Sequence, residues 1–457
     1  MLTRRNFGLG LTSSAFAGLT LSGCATRSAM TAARRAAGYG PLEPDPARLL
    51  DLPRGFSYRI ISSLGERMDD GFFVPDRADG MGAFRLDERR MALIRNHELA
   101  PRHRNGRAFK GAAPPGIAAF DRGADGEPLP GGTTTIVYDY RSGRVEQQYL
   151  SLVGTIRNCA GGATPWGSWL TCEEDTSRAG SNGLTRDHGW VFEVPARGRG
   201  VTSPVPLTAM GRFNHEAAAI DPRTGIVYLT EDREDSLFYR FLPERRGELA
   251  RGGRLQALAF RDRALGTDSR NWTGTDLPLQ QWRAAEWIDL DEVEAPQDDL
   301  RKRGHARGGV RFARGEGIHF GDGELYFCCT NGGAAKLSQI MRYRPSRFEG
   351  QNGERSAPGQ IQLFVESTSA AMLNFGDNIT VTPHGHLIVC EDQYSVSVEN
   401  HLRGIMPDGA LYDFARLHAQ TELAGACFSP DGATMFVNVY DPTKTLAITG
   451  PWRGFAA

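Results

Sequence analysis

The chain has almost no lysine. Only Lys110, Lys302, Lys336 and Lys444 appear among 53 basic residues, so nearly every cationic side chain is an arginine, which is read mainly as genome composition. There is no charge excess either: a formal net charge of -1 gives no reason to expect a nucleic-acid or anionic-membrane partner. A Gly-x-Ser-x-Gly elbow is missing, so nothing proposes a serine nucleophile. The apolar core before Cys24 is too short to span a bilayer as a permanent helix. What is present is ordinary in bulk and unusual in arrangement. Hydrophobic content of 40% and charged content of 23% are those of a globular protein, so disorder is not the default. The 55 glycines follow no collagen period and suit the many tight turns of an all-β protein.

The N-terminus reads as a targeting segment. Thr3-Arg4-Arg5-Asn6-Phe7, followed by a short apolar core, matches a twin-arginine export signal. Leu21-Ser22-Gly23-Cys24 resembles a lipobox, which makes Cys24 the candidate lipidation site; simple cleavage near Ala25 or Ala29 is the alternative. The expected layout is a signal over 1–24, a tether over 25–48 and one domain over 49–457, with a polar insertion at about 244–311. The expected location is the periplasm or cell envelope, with membrane anchoring through the lipidated N-terminus. Twin-arginine export carries folded proteins, which hints at a cofactor loaded before export.

Six stretches share one format of strand, short turn and strand: 80–98, 158–175, 214–232, 315–331, 376–392 and 425–441. Turns such as Asp221-Pro222-Arg223-Thr224-Gly225 and Ser429-Pro430-Asp431-Gly432 carry the Pro and Gly that hairpin turns need. Six such units predict an all-β, six-bladed β-propeller with loop insertions and a central channel. A β-sandwich of six hairpins is the rival.

In an antiparallel hairpin the start of the first strand lies beside the end of the second. Cys159, Glu216, Glu316 and Asp377 fall at first-strand starts, and Glu173, Glu231, Asn331 and Glu391 at second-strand ends. Their near-constant separation predicts that several units aim acidic or thiol groups at one rim. Clustered carboxylates raise one another's pKa unless cations neutralise them. Oxygen ligands suit Ca²⁺, and a thiolate added to them points to a transition metal such as iron. Glu174, Asn378, Glu231 and the His97-Glu98 pair are weaker candidates, and His215 is either a supporting group or a core histidine. Arg314, two residues before Glu316, is placed to hold a phosphate oxygen pair; Arg157 and Arg212 stand at comparable offsets. Spacing also allows a Cys159–Cys172 disulfide, while Cys172, Cys329 and Cys390 read as packed core residues.

NCAGGATPWGSWLTCEED, with GRFNHEAAAIDPRTGIVYLTED, RGEGIHF and FGDN after it, resembles the PhoX family of bacterial alkaline phosphatases. The likeness spans about residues 50–450. It implies a six-bladed propeller exported by the twin-arginine route, with an iron and calcium cluster (Fe³⁺, Ca²⁺) at the channel mouth. It implies Cys159 as an iron ligand, Glu216, Glu316 and Asp377 as metal ligands, Glu173 or Glu174 as another, and Arg314 as the phosphate-holding catalytic arginine. Asn378 and Glu391 complete the expected metal set. The expected function is hydrolysis of a small-molecule phosphomonoester by a metal-activated oxide or hydroxide nucleophile. The competing readings are a calcium-dependent lactonase or phosphodiesterase on the same scaffold, and a non-catalytic, lipid-anchored binding propeller. The chain is shorter than the larger members of that family, and a lipobox is not usual in its secreted members.

Overall fold

A computed structural model of the chain describes residues 38–393 and 395–455. The twin-arginine motif, the lipobox and Cys24 lie outside the described residues. The expected tether is only partly so: Gly38 packs on the Tyr412 ring, the Tyr39 hydroxyl donates to the carbonyl of Trp452 at 3.0 Å, and Leu42–Glu43 pairs with Leu52 and Pro53. Residues 38–48 therefore belong to the fold.

The architecture is all-β and propeller-like. Hydrogen bonding defines antiparallel sheets of four, three, nine, six and four strands. Each of the six repeated stretches is a hairpin, and the six inner strands are Ala78–Arg85, Asn158–Ala163, His215–Ile220, Gly315–Gly321, Gly376–Val381 and Leu423–Phe428. Each inner strand neighbours the next, and the last neighbours the first, closing a ring around a channel. The nine-stranded sheet arises because Arg283–Asp289 pairs with both Gly253–Phe260 and Gln360–Glu366, tying the third unit to the fourth. The stretch expected as an insertion, 244–311, thus carries two strands and the short helix Leu300–Ala306. At the seam, Ser57–Ser63 completes the sheet of Leu423–Phe428, Thr434–Val439 and Lys444–Thr449.

The core explains why the strands stack in this way. A cluster of buried apolar side chains fills each space between neighbouring units, for example Phe84, Ile94, Trp169 and Phe192 between the first and second. Tyr228, Phe238, Phe327 and Tyr343 do the same between the third and fourth. Small residues let the inner strands approach. A Cβ on Gly80 would lie 2.5 Å from the Cα of Ala160, and one on Gly162 would lie 2.1 Å from the carbonyl oxygen of Ala218; both are inside van der Waals contact. The Gly161-Gly162 pair therefore serves ring closure. All six described cysteines are free. Cys172, Cys329 and Cys390 sit in the inter-unit cores.

Candidate metal centre

One irregularity recurs in all six hairpins. The pairing register shifts within the first two residues of the inner strand, at Ala78/Met81, Asn158/Gly161, His215/Ala218, Gly315/Ile318, Gly376/Ile379 and Ala424/Cys427. A β-bulge bends the strand and re-aims a side chain. The residue at that point is in turn Asp79, Cys159, Glu216, Glu316, Asp377 and Gly425. Five of the six units therefore direct an acid or a thiol to one end of the channel, and these five side chains line a single cavity of about 580 Å³.

The second strands supply an outer tier. The last paired residues, Glu173, Glu231 and Glu391, face away from the cavity, and the following residues, Glu174, Asp232 and Asp392, face into it. Successive side chains on a strand point to opposite faces, so one step in register exchanges a ligand for a structural residue. This corrects two sequence expectations. Glu173 accepts hydrogen bonds from the amides of Ile156 (3.0 Å), Gly189 (3.0 Å) and Trp190 (3.3 Å) and lies 2.7 Å from His188 Nδ1. Glu391 accepts from the amides of Asn374 and His401 and from Arg403 Nε at 2.9 Å. Both are fully committed to the protein. Asn378 also lies outside the ligand set: its Oδ1 accepts from the amide of Gly425 at 3.0 Å, and its Nδ2 donates to Asp377 Oδ1 at 3.2 Å, which steadies Asp377. Arg212 donates to the carbonyls of His188, Ala295 and Thr176 and takes no part in the cavity.

Around the mouth, cations and anions alternate. Arg77 donates to the Tyr440 hydroxyl at 3.0 Å, and that hydroxyl donates to Glu98. Arg157 donates to Glu98 Oε1 at 2.6 Å and to Glu174. Arg314 forks onto Asp232 at 2.7 and 3.0 Å and reaches Glu316 Oε1 at 3.0 Å. Three groups of side chains offer donor atoms within 4.8 Å of one another: Glu98, Cys159 and Glu174; Glu216, Glu316 and Asp377; Asp377, Asp392 and Glu422.

The electrostatics of this cavity require cations. Both carboxylate oxygens of Glu216 and Oδ1 of Asp79 are buried with no hydrogen-bond partner among the described residues, the costly condition for a charged oxygen. Burial first, then Glu316 and Asp377, drives the Glu216 pKa far up. Burial and Glu98 do the same to Asp79, and burial and Asp232 to Glu316. Asp377 is pushed up to about 7 by burial and Asp392. Burial and Asp79 raise the Cys159 thiol, whose Sγ lies 3.5 Å from Asp79 Oδ2. Multivalent metal ions relieve all of these at once, and the donor sets fit them: one mixes a thiol with carboxylates, and the other two are all oxygen and share Asp377.

Of the residues expected from the sequence, Cys159, Glu174, Glu216, Glu316, Asp377 and Arg314 line this cavity together. Sequence reasoning missed Asp79, Asp232, Asp392, Glu422 and Arg77, and gave Glu98 little weight. The signal for Asp79 was available: beginning the first unit one residue earlier puts an acid in register with Cys159 and Glu216.

A closed ring of antiparallel hairpins whose bulges converge acids, a thiol and arginines on one mouth defines a metallohydrolase of the propeller type. The sequence matches the family described as Alkaline phosphatase PhoX over residues 37–125 and 131–443, and the chain belongs to that family. It is a metal-dependent alkaline phosphatase acting on small-molecule phosphate substrates. Its fold is similar to that of Pseudomonas fluorescens PhoX, solved in complex with vanadate, a transition-state analogue; identity is 19%, coverage 93% of this chain and 99% of that one, and the TM-score 0.66. A gluconolactonase from Xanthomonas campestris is also similar, at 12% identity, 90% and 98% coverage and a TM-score of 0.42. No curated protein matches the sequence.

Proposed function

We propose that this phosphatase is a six-bladed β-propeller that hydrolyses phosphate monoesters at an iron and calcium cluster. The six-blade count is supported by six hairpins, six inner strands in a closed ring and apolar packing between neighbouring units. Among the donor sets, Glu98, Cys159 and Glu174 combine sulfur with oxygen, which suits iron; Asp377, Asp392 and Glu422 are all oxygen, which suits Ca²⁺. When bound, such ions would offset charge on the phosphoryl oxygens and make an oxygen nucleophile available at moderate pH.

The chain's own part is to hold and orient. Arg314 presents a planar fork of the geometry that binds two phosphate oxygens. That fork rests on Asp232 and Glu316, so binding a phosphate would exchange one oxygen pair for another without unpairing the guanidinium. Thr330 donates to Glu316 Oε1 at 2.9 Å and fixes that carboxylate. Cys159 must lose its proton to act as a ligand, so loading releases protons. Export by the twin-arginine route with lipidation at Cys24 would place this site in the cell envelope.

The observation that carries the reading is Glu216, with both oxygens buried and unpartnered in the middle of the ring. The test is release of p-nitrophenol from its phosphate ester by purified protein, with and without a calcium chelator, alongside elemental analysis. We expect calcium-dependent turnover and bound iron. Lactone hydrolysis without phosphatase activity, or bound metal without any turnover, would defeat the proposal.

A further inference from the structure

Three arginines form a set. Arg77, Arg157 and Arg314 each stand two residues before a ring member (Asp79, Cys159 and Glu316) and line the same cavity. Each has a positive φ, of 53°, 42° and 53°. A left-handed backbone is costly for a long side chain, and glycine would remove the cost. The same backbone recurs at Phe375, two residues before Asp377, so the turn sets the φ, and the sequence places a guanidinium on it in three of these four units. Arg157 and Arg314 rest on carboxylates of the cluster. Arg77 does not: its partners are the Tyr440 hydroxyl and, at 3.1 Å, the half-exposed rim carboxylate of Asp441. Arg102, exposed and without a hydrogen-bond or ion-pair partner among the described residues, lines the mouth on the loop that follows Arg90–His97.

We propose that Arg77 and Arg102 form an anion subsite for the leaving group, so that the preferred substrates are phosphomonoesters whose alcohol portion itself carries a carboxylate or a second phosphate. The inference rests on the placement of the phosphoryl group beside Arg314 made above. With phosphorus at the ring, the ester substituent projects into the open mouth. Asp392 and Glu422 also line that mouth, but in the loaded protein the calcium they hold neutralises them, and Arg77 offers a fork matched to a carboxylate. The Arg77–Asp441 pair is partly exposed and weak, so an incoming anion displaces it readily.

The test uses the full, metal-loaded protein and two esters of one skeleton, 3-phosphoglycerate and glycerol 3-phosphate. The quantity read is the ratio of their kcat/KM values, which is internal to each preparation and independent of how much protein is folded or loaded. Arg77→Gln should lower that ratio at least tenfold, chiefly through the KM for 3-phosphoglycerate, and Arg77→Lys should recover most of it. Arg102→Gln, at an exposed position, should lower it about threefold. A ratio unchanged in both glutamine variants overturns the subsite, even where each rate falls. Turnover of neither ester by the unsubstituted protein overturns the phosphoryl placement itself, and the subsite with it.

Discussion

Glu173 and Glu174 are neighbours in the chain and opposites in circumstance. Glu173 is wholly buried, yet three backbone amides and His188 satisfy both of its oxygens, and His188 in turn lies 3.2 Å from Asp121 Oδ2. Glu174 also lies out of water, but it faces Glu98, Asp232 and Cys159, with Arg157 as its cationic partner. One knot of buried charge is complete within the protein; the other is complete only with ions from outside. Burial alone therefore does not distinguish a ligand from a structural carboxylate. What distinguishes Glu173 from Glu216 is that the hydrogen bonds of the first are complete within the protein and those of the second are not.

Substitutions on either side can break that comparison. The largest effect is expected at Glu216. Glu216→Gln should lower phosphatase activity on the order of a hundredfold or more, since even an outer partner of a metal ligand is worth ~10–100-fold. The same change should raise the unfolding midpoint of chelated protein, because it removes a carboxyl that folding must either protonate or leave charged without a partner; a lower midpoint in chelator would count against the reading. Cys159→Ala should abolish bound iron and leave bound calcium mostly in place, as read by elemental analysis, and unchanged iron would remove the thiolate from the ligand set.

Glu173→Gln should act the other way round. It breaks a buried pair with His188 and should cost about 3–5 kcal/mol of stability with or without metal, measured by denaturant unfolding. Equal losses for Glu173→Gln and Glu216→Gln in chelator would erase the distinction.

The smallest effect is a pH trend. Asp377 has its folded pKa raised to about 7 from an ordinary 3.8. A carboxyl raised in this way binds its proton more tightly in the folded state, so its ionisation removes stability as pH climbs from about 4 to about 7. Chelated protein should therefore lose up to about 4 kcal/mol across that window, and loading with metal should remove the decline. A chelated midpoint that stays level or rises from pH 5 to pH 8 would contradict the assignment.

Much of the fold was legible. Turns such as Asp221-Pro222-Arg223-Thr224-Gly225 announce themselves chemically: Gly225 has a φ of 79° and Asp221 Oδ1 accepts from the amide of Arg223 at 2.7 Å. The inner cavity-lining residues were legible too, since Cys159, Glu216, Glu316 and Asp377 recur at one position of a repeated hairpin. The outer tier was not, because an alternating strand makes Glu173-Glu174 and Glu391-Asp392 indistinguishable until pairing fixes which member faces the channel. The bulge that shifts this parity leaves only a weak residue-type signature, a glycine or alanine at its second position in five of six units: Gly80, Ala160, Ala217, Gly317, Asn378 and Ala426 in turn. Glu422 and Arg77 lie outside the repeated stretches as the sequence suggests them, and only the closed ring brings them to the mouth.

The seam strand carries a consequence for synthesis. Ser57–Ser63 is translated early, yet its hydrogen-bonding partner Lys444–Thr449 comes nearly four hundred residues later. The circle cannot shut before Lys444–Thr449 is made, and the cavity-lining carboxylates of the first and sixth units, Asp79 and Glu422, stay apart until it does. A product truncated before that strand therefore has no finished cavity for ions to fill.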